Sequence, residues 1–203
     1  MSSAADPATP GSEPPSPVRG RRVLVGVSGG IAVYKTATLV SQLAQRGGEV
    51  RVLMTEAATR FVAPLTFQSL SGHKVLTSIW EADDRPDAQH IALARWADLL
   101  IIAPATANLI AKVAAGLCDD VVSLTVASLP RQPQPTPVLL APAMNADMWQ
   151  SPITARNLDT LRGLDGWRIV GPEEGWQACR TTGPGRMSEP DTLLEAAEQM
   201  LAR

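Results

Sequence analysis

No run in this chain reaches the roughly 18 consecutive apolar residues that a membrane span needs. Nor is there a basic run to track a phosphate backbone, since 18 basic residues stand against 20 acidic ones for a net charge of -2. Neither a membrane nor nucleic acid is therefore expected as a partner. Cysteine is scarce as well: Cys118 and Cys179 are the two in 203 residues. Without an export signal, such usage points to a reducing cytoplasm and free thiols rather than a disulfide. The opening MSSAADPATPGSEPPSPVRG lacks the apolar segment of a signal peptide and holds five of the 17 prolines. With almost nothing apolar beyond alanine, residues 1–20 read as a disordered tail, followed by one domain over 21–203. No repeat recurs at a fixed period, and no metal site is expected.

What the chain does contain is a set of short runs apolar on both faces: VLVGV at 23–27, VRVLM at 50–54, LLIIA at 99–103 and VLLA at 138–141, with a weaker one at 168–170. Such runs are what a parallel sheet covered by helices demands. Between the first two, IAVYKTATLVSQLAQRG puts Ile31, Tyr34, Leu39, Val40 and Leu43 near helical spacing, with Gly47 as a stop. LPRQPQPTP, residues 129–137, has four prolines and reads as a loop, and EPDTLLEAAEQMLAR reads as a closing helix. The alternation predicts an α/β fold, a single flavodoxin-like or Rossmann-like doubly wound parallel sheet with helices on both faces. Ligands on such sheets sit outside the carboxyl ends of the strands, near the reversal of strand order. The residues after each run are therefore the candidates.

After the first run comes GVSGGIA. Gly26, Gly29 and Gly30 permit a tight turn and close backbone approach, Ser28 adds a hydroxyl, and the next helix points free N–H groups at an anion. An ordinary βα turn would look the same, and the pattern is not G-x-G-x-x-G. The second run ends at Met54 and Thr55, where a dinucleotide-binding domain would place an acid for the ribose. With Glu56 only nearby, a mononucleotide whose phosphate meets Thr55 fits better than NAD. The third run ends in APATAN. Thr106 and Asn108 could serve a heteroaromatic ring or a polyol chain, although spacing alone favours Asn108 as a helix cap. Asp119 and Asp120 read as caps of the following helix, and Cys118 as a small core residue.

His90 stands before the third run. An imidazole, with an ordinary pKa of about 6.5, suits a base at neutral pH, though isolated histidines are commonly structural. His73 sits in loop surroundings and has less claim. The fourth run ends LLAPAMNADMW, where Met144, Asn145, Asp147, Met148 and Trp149 follow no amphipathic period and read as the lip of a site. GWQACRTTGPGRM, residues 175–187, has three glycines and a proline. It reads as a mobile loop, either a lid or plain surface, carrying Cys179 and Arg186.

Taken in order, GVSGGIAVYK, HIALARWADLLIIAPATAN, AKVAAGLCDD, PAMNADMW and ACRTTGPGRM resemble the motifs of the homo-oligomeric flavin-containing cysteine decarboxylases. The likeness runs from about residue 21 to 190, and PAMNADMW fits the family pattern P-x-M-N-x-x-M-W at every fixed position. The resemblance implies a flavodoxin-like fold with FMN held by the glycine turn (Gly26, Ser28, Gly29), by Thr55 and by Ala105, Thr106 and Asn108. It implies His90 as base, Asn145 as the holder of the substrate carboxylate with Met144, Met148 and Arg186 beside it, and a lid whose Cys179 acts as an acid. It further implies a trimer or dodecamer with the site between subunits. One departure stands out: many members have Gly-Asp after the lid cysteine, where this chain has Arg180 and Thr181. Cys179, Gly183, Gly185, Arg186 and Met187 remain.

The activity so implied is FMN-dependent oxidative decarboxylation of a cysteine moiety, with phosphopantothenoylcysteine of coenzyme A biosynthesis as the expected small-molecule substrate. Direct loss of CO2 would leave a carbanion without an electron sink. Oxidising the neighbouring CH2–SH to a thioaldehyde places a C=S β to the carboxylate, and FMN is the oxidant. His90 would take the thiol proton. Asn145 would fix the carboxylate without the full charge that over-stabilises a ground state. Cys179 would protonate the ene-thiol as hydride returns. Met144, Met148 and Trp149 would wall the site, and Asp147 is left with at most a cap on the next helix. Peptidyl-cysteine decarboxylation in lantibiotic-type maturation can stop at the ene-thiol and would not need Cys179. A non-catalytic flavin-binding regulatory subunit tends to lose a catalytic residue or carry an acidic tail, and a prenyl-transferring flavin-modifying enzyme would lack PAMNADMW. The joint presence of His90, Asn145 and Cys179 favours the full cycle. In many bacteria a synthetase is fused behind such a domain; with the sequence ending at Arg203, that activity is expected on another polypeptide.

Overall fold

A computed structural model describes residues 16–80 and 88–202. Of the expected disordered tail, residues 1–15 lie outside the described residues, and the last five correct the expectation. Residues 17–20 form a turn, the Ser16 hydroxyl donates to Glu198 Oε1 at 2.7 Å, and Val18 is fully buried. Val18 is the reason: its Cγ1 lies 2.7 Å from where a Cβ on Gly48 would stand, so it plugs a space that a glycine leaves open.

From there β1 (Arg22–Val27) leads into α1 (Val33–Gln45), β2 (Glu49–Met54), α2 (Glu56–Thr59) and α3 (Pro64–Ser71). Next, α4 (Gln89–Trp96) feeds β3 (Leu99–Ala105), followed by α5 (Ala107–Ala115), α6 (Val121–Ala127) and β4 (Val138–Pro142). Then come α7 (Ala146–Gln150), α8 (Pro152–Arg162), β5 (Trp167–Ile169), β6 (Glu173–Trp176), β7 (Thr182–Arg186) and α9 (Pro190–Leu201). The main sheet has five parallel strands in the order β2-β1-β3-β4-β5. This is the expected doubly wound fold, and the order reverses between β1 and β3.

Side-chain alternation splits the core in two. Val23, Val25 and Val27 of β1 and Leu99, Ile101 and Ala103 of β3 pack on one face against α1, α3 and α9. Leu24, Leu100 and Ile102 pack on the other against α4, α5, α6 and α8. α1 is fastened to its face by Thr36, whose hydroxyl donates to the Ala103 carbonyl at 2.9 Å. At the amino end of the sheet the Arg22 guanidinium grips Asp98 through Nε at 3.2 Å and Nη2 at 2.7 Å. That pairing holds the Asp98 carboxyl below the usual carboxylate range.

Segment 175–187, expected as a mobile loop, is largely a hairpin. β6 and β7 pair antiparallel, with Gly175 opposite Gly183 and Trp176 opposite Thr182. Among the described residues no helix is long and apolar enough to cross a membrane, and no group of His, Cys, Asp and Glu could hold a metal ion.

Candidate active site

The carboxyl ends of β1, β2, β3 and β4 and one side of the hairpin surround a cavity of about 1520 Å³. It lies at the reversal between β1 and β3, where open α/β sheets bind ligands. The turn after β1 forms its floor. A Cβ on Gly29 would stand 2.5 Å from Ala57 Cβ and 2.7 Å from its carbonyl carbon, so only a glycine lets the turn lie against α2. Gly30 is less confined, its nearest neighbour being Thr106 Cγ2 at 3.3 Å. Gly26 corrects the sequence reading. It lies within β1, outside the lining, and a Cβ there would meet Val122 Cγ1 at 2.8 Å. It serves the seating of α6 on the sheet. Ala105, the last residue of β3, is fully buried and likewise outside the lining.

The polar groups at the strand ends are oriented by capping bonds. Ser28, buried at the rim, donates to the Pro104 carbonyl at 2.7 Å and accepts from the Thr106 N–H at 3.0 Å, tying the ends of β1 and β3 together. Thr55 caps α2 by accepting from the Ala58 N–H at 3.3 Å, which leaves its O–H as a donor. Thr106, not Asn108, caps α5. Asn108 is exposed in the first turn of α5 and lines the cavity.

Asn145 follows the same logic after β4. As N-cap of α7, its Oδ1 accepts from the Met148 N–H at 2.9 Å. An acceptor committed to the backbone leaves the amide N–H₂ as the side chain's free donor, and Asn145 lines the cavity. Met144 and Met148 line it too, whereas Trp149 packs beneath, against the core around α8. Asp147 is exposed in the first turn of α7 and does not cap the next helix, because Ser151 does.

The hairpin supplies the opposite wall. Cys179 lies at its tip, its Sγ 3.0 Å from Thr181 Oγ1 and 3.5 Å from Gln177 Oε1. Arg180 is held at φ 64, the left-handed region where a glycine is at ease. Arg186 lines the cavity, but its guanidinium donates to Glu189 and stands 3.8 Å from Glu173. Lys35 was not singled out by sequence reasoning. It is buried on α1, lines the cavity and donates from Nζ to the Met187 carbonyl and to Glu189 Oε1, both at 2.9 Å. Lys35, with Arg186 beside it, holds the Glu189 carboxyl below its usual range. The signal for it was available: a lysine among Val33, Thr36 and Leu39 on the inward face of α1. Trp80 and Trp176 were also missed; both stand at the rim, 86% and 64% exposed.

Two further expectations change. Asp120 does cap α6, in a capping box with Ser123, but Asp119 instead pairs with Lys112 Nζ at 2.8 Å. Asp119, then Asp120, raises the Lys112 ammonium above its ordinary range. Cys118 is half-buried and its thiol donates to the Gly116 carbonyl, so it is not a core residue. His90, half-buried in the first turn of α4, is outside the cavity lining of its own chain. The chain thus gathers Ser28, Gly29, Thr55, Thr106, Asn108, Met144, Asn145, Met148, Cys179 and Arg186 around the cavity, but not His90.

A glycine turn at the β1/β3 reversal, threonine-capped helices and a roomy cavity define a nucleotide-type binding protein of the doubly wound class. More particularly, the chain belongs to the Flavoprotein family, whose model matches residues 12–202. It is similar to the Coenzyme A biosynthesis bifunctional protein CoaBC of Bacillus subtilis (strain 168), 46% identical over 182 residues, which make up 90% of this chain and 43% of that protein. The Escherichia coli (strain K12) protein of that name is 47% identical over 180 residues, 88% and 42% respectively. The chain therefore spans less than half the length of the curated relatives it matches. Among solved structures it is similar to a PPC decarboxylase mutant complexed with pantothenoylaminoethenethiol, with a TM-score of 0.78, 31% identity, and coverage of 91% of this chain and 100% of that one. The FMN-dependent cysteine decarboxylase SpaF gives a TM-score of 0.77 at 34% identity, covering 92% and 99%.

Proposed function

We propose that this chain is an FMN-dependent decarboxylase that converts phosphopantothenoylcysteine to phosphopantetheine in coenzyme A biosynthesis, in the cytoplasm. The observation that carries this reading is the pairing, across one cavity at the strand reversal, of a cap-oriented Asn145 amide and the Cys179 thiol. The relatives' names supply the substrate: coenzyme A biosynthesis for the curated proteins, and PPC decarboxylase for the structural neighbour.

The residues present fit FMN. Pockets of roughly 300–1,000 Å³ hold ligands of drug size, so about 1520 Å³ accommodates a flavin mononucleotide and part of a second molecule. Ser28, Gly29, Thr55, Thr106 and Asn108 would hold it, with Gly29 the point where any side chain would push the turn off α2. When bound, FMN would supply the two-electron oxidation of the thiol-bearing carbon and the matching reduction that closes the cycle. Asn145 donates N–H to the carboxylate and sets its angle of departure. Met144 and Met148 keep water from that carboxylate. His90 takes the thiol proton, and its place outside its own cavity supports delivery by a second copy, in a trimer or dodecamer. The exposed Ile31, Tyr34 and Trp176 at the rim offer apolar surface to that copy. Cys179 then gives its proton to the ene-thiol carbon.

The test is mass spectrometry of the product from phosphopantothenoylcysteine, using flavin-loaded protein and no external reductant. A product lighter by one CO2 is expected. A product lighter by CO2 and two further hydrogens would place the protein with enzymes that stop at the ene-thiol, and no loss of CO2 refutes the reading.

A further inference from the structure

Gln177 is 7% exposed, and its side chain uses every hydrogen-bonding position it has. Its Nε2 donates to the Gly183 carbonyl at 3.1 Å and the Pro184 carbonyl at 2.8 Å. Its Oε1 accepts from the Ala146 N–H at 3.1 Å and from the Cys179 thiol at 3.5 Å. Its backbone closes the tip of the hairpin, the N–H donating to the Thr181 carbonyl and the carbonyl accepting from Arg180 N–H. Ala146 is the first residue of α7 and follows Asn145 directly. Beside this contact the hairpin lies on the Asn145 segment backbone to backbone: Met144 N–H donates to the Gly185 carbonyl at 2.9 Å. A Cβ on Gly183 would stand 3.0 Å from Ala146 Cβ.

We propose that Gln177 is a positioning residue that couples the thiol of Cys179 to the Asn145 turn through one shared carboxamide oxygen. The inference rests on the roles just given to Cys179 and Asn145. One oxygen receives the thiol and the backbone N–H next to the carboxylate holder, while the nitrogen fastens the same side chain to both carbonyls of the glycine-rich strand. The proton donor is thereby held in register with the group that orients the substrate. An apolar side chain of equal length would fill the space but leave the Ala146 N–H and two carbonyls unpaired. A buried group in that state is costly, so the hairpin would lift and the thiol would lose its register.

The test is Gln177→Met, with Ala146→Pro breaking the same contact from the other side. Proline is favoured at the first position of a helix, and Asn145, at φ -73 and ψ 167, already has the extended backbone that precedes one. The readout is the ratio of ene-thiol to saturated product per CO2 released, which an unfolded fraction does not alter. The ratio should rise about tenfold in each variant, the effect of losing one hydrogen bond of ordinary net strength. A variant that retains FMN, releases CO2 and keeps the wild-type ratio overturns the proposal. Gln177→Glu retains an acceptor for the thiol and should recover part of the ratio. If the wild type releases no CO2, the proposed reaction falls, but the coupling is still measured. Gln177→Met should speed iodoacetamide labelling of Cys179 and hydrogen exchange at the Ala146 amide about tenfold, with Cys118 labelling as the internal reference. Unchanged rates at both positions overturn the coupling.

Discussion

Gly29 offers the sharpest test of where the flavin lies. In Gly29→Ala the new methyl would stand 2.5 Å from Ala57 Cβ, 2.7 Å from its carbonyl carbon and 3.0 Å from its carbonyl oxygen. Ordinary carbon contacts lie at about 3.5–4.0 Å, so α2 or the turn must retreat by about 1 Å. Two of the three opposing atoms are backbone and cannot rotate away. Overpacking of this kind costs about 1–3 kcal/mol. If about 2 kcal/mol of it falls on the state that binds the ligand, FMN affinity drops about 30-fold. Gly30→Ala is the matched comparison, because it meets only the Thr106 methyl at 3.3 Å, and its loss should be smaller. Quenching of FMN fluorescence on titration with each apoprotein reads both constants, and circular dichroism checks that each is folded. A folded Gly29→Ala protein that binds FMN as tightly as the wild type would refute the placement of FMN against this turn.

His90→Asn should retain FMN and lose CO2 release by about 10²–10⁴-fold, the usual worth of a general base. Mixing it with Asn145→Asp subunits should restore part of the rate if the site draws on two copies, as read by CO2 evolution. Cys179→Ser should still release CO2 but accumulate the ene-thiol, seen by mass spectrometry; saturated product would move the acid elsewhere. Arg180→Gly relieves a left-handed residue at about 1–2 kcal/mol but adds about 0.4–1 kcal/mol of chain entropy to the open state. The net should protect the Gln177 and Arg180 amides from hydrogen exchange about two- to fivefold better. The Asp98 carboxyl is depressed by Arg22, so its stabilisation is present above the unfolded pKa of about 3.9 and is lost as pH falls through the folded value. Asp98→Asn should therefore lower the melting temperature at neutral pH, with the gap to wild type closing below pH about 4.

The sheet was legible because strands buried on both faces must be apolar throughout, and Leu99 to Ile102 admit no other reading than burial. Strand order was not, since period-two burial says that a strand is covered but not which strand lies beside it. Val18 escaped because one valine among prolines carries little compositional weight, yet a glycine at 48 leaves a space that it fills. The hairpin escaped for a related reason. Gly183, Pro184 and Gly185 have the composition of a loop, and their order comes from the Gln177 carboxamide and from the backbone of Met144, which lies far away in sequence. Strand-end residues were the legible part of the site, because a polar group directly after a buried strand has few other uses. Gly26 was misjudged since a glycine's value in close packing and its value in a turn look alike in sequence. Lys35 was passed over because a helix so apolar on one face draws the eye to its core role.

Asn145 shows why chemistry collects at these strand ends. A residue that starts a helix is favoured when its side chain offers an acceptor to the first free N–H groups, which points to Asn, Asp, Ser or Thr. At 145 that acceptor is Oδ1, spent on Met148. An aspartate would cap equally well but would aim its second oxygen, negatively charged, at the carboxylate of the proposed substrate. A serine or threonine has a single oxygen and little reach beyond the cap, and a glycine has no side chain. Asparagine alone both starts the helix and leaves two neutral donors on a nitrogen whose direction the cap has fixed. Its rotamer is therefore set by folding, and the donor would be in place before the carboxylate of the proposed substrate arrives. At this position the demands of folding and of the proposed chemistry select the same side chain.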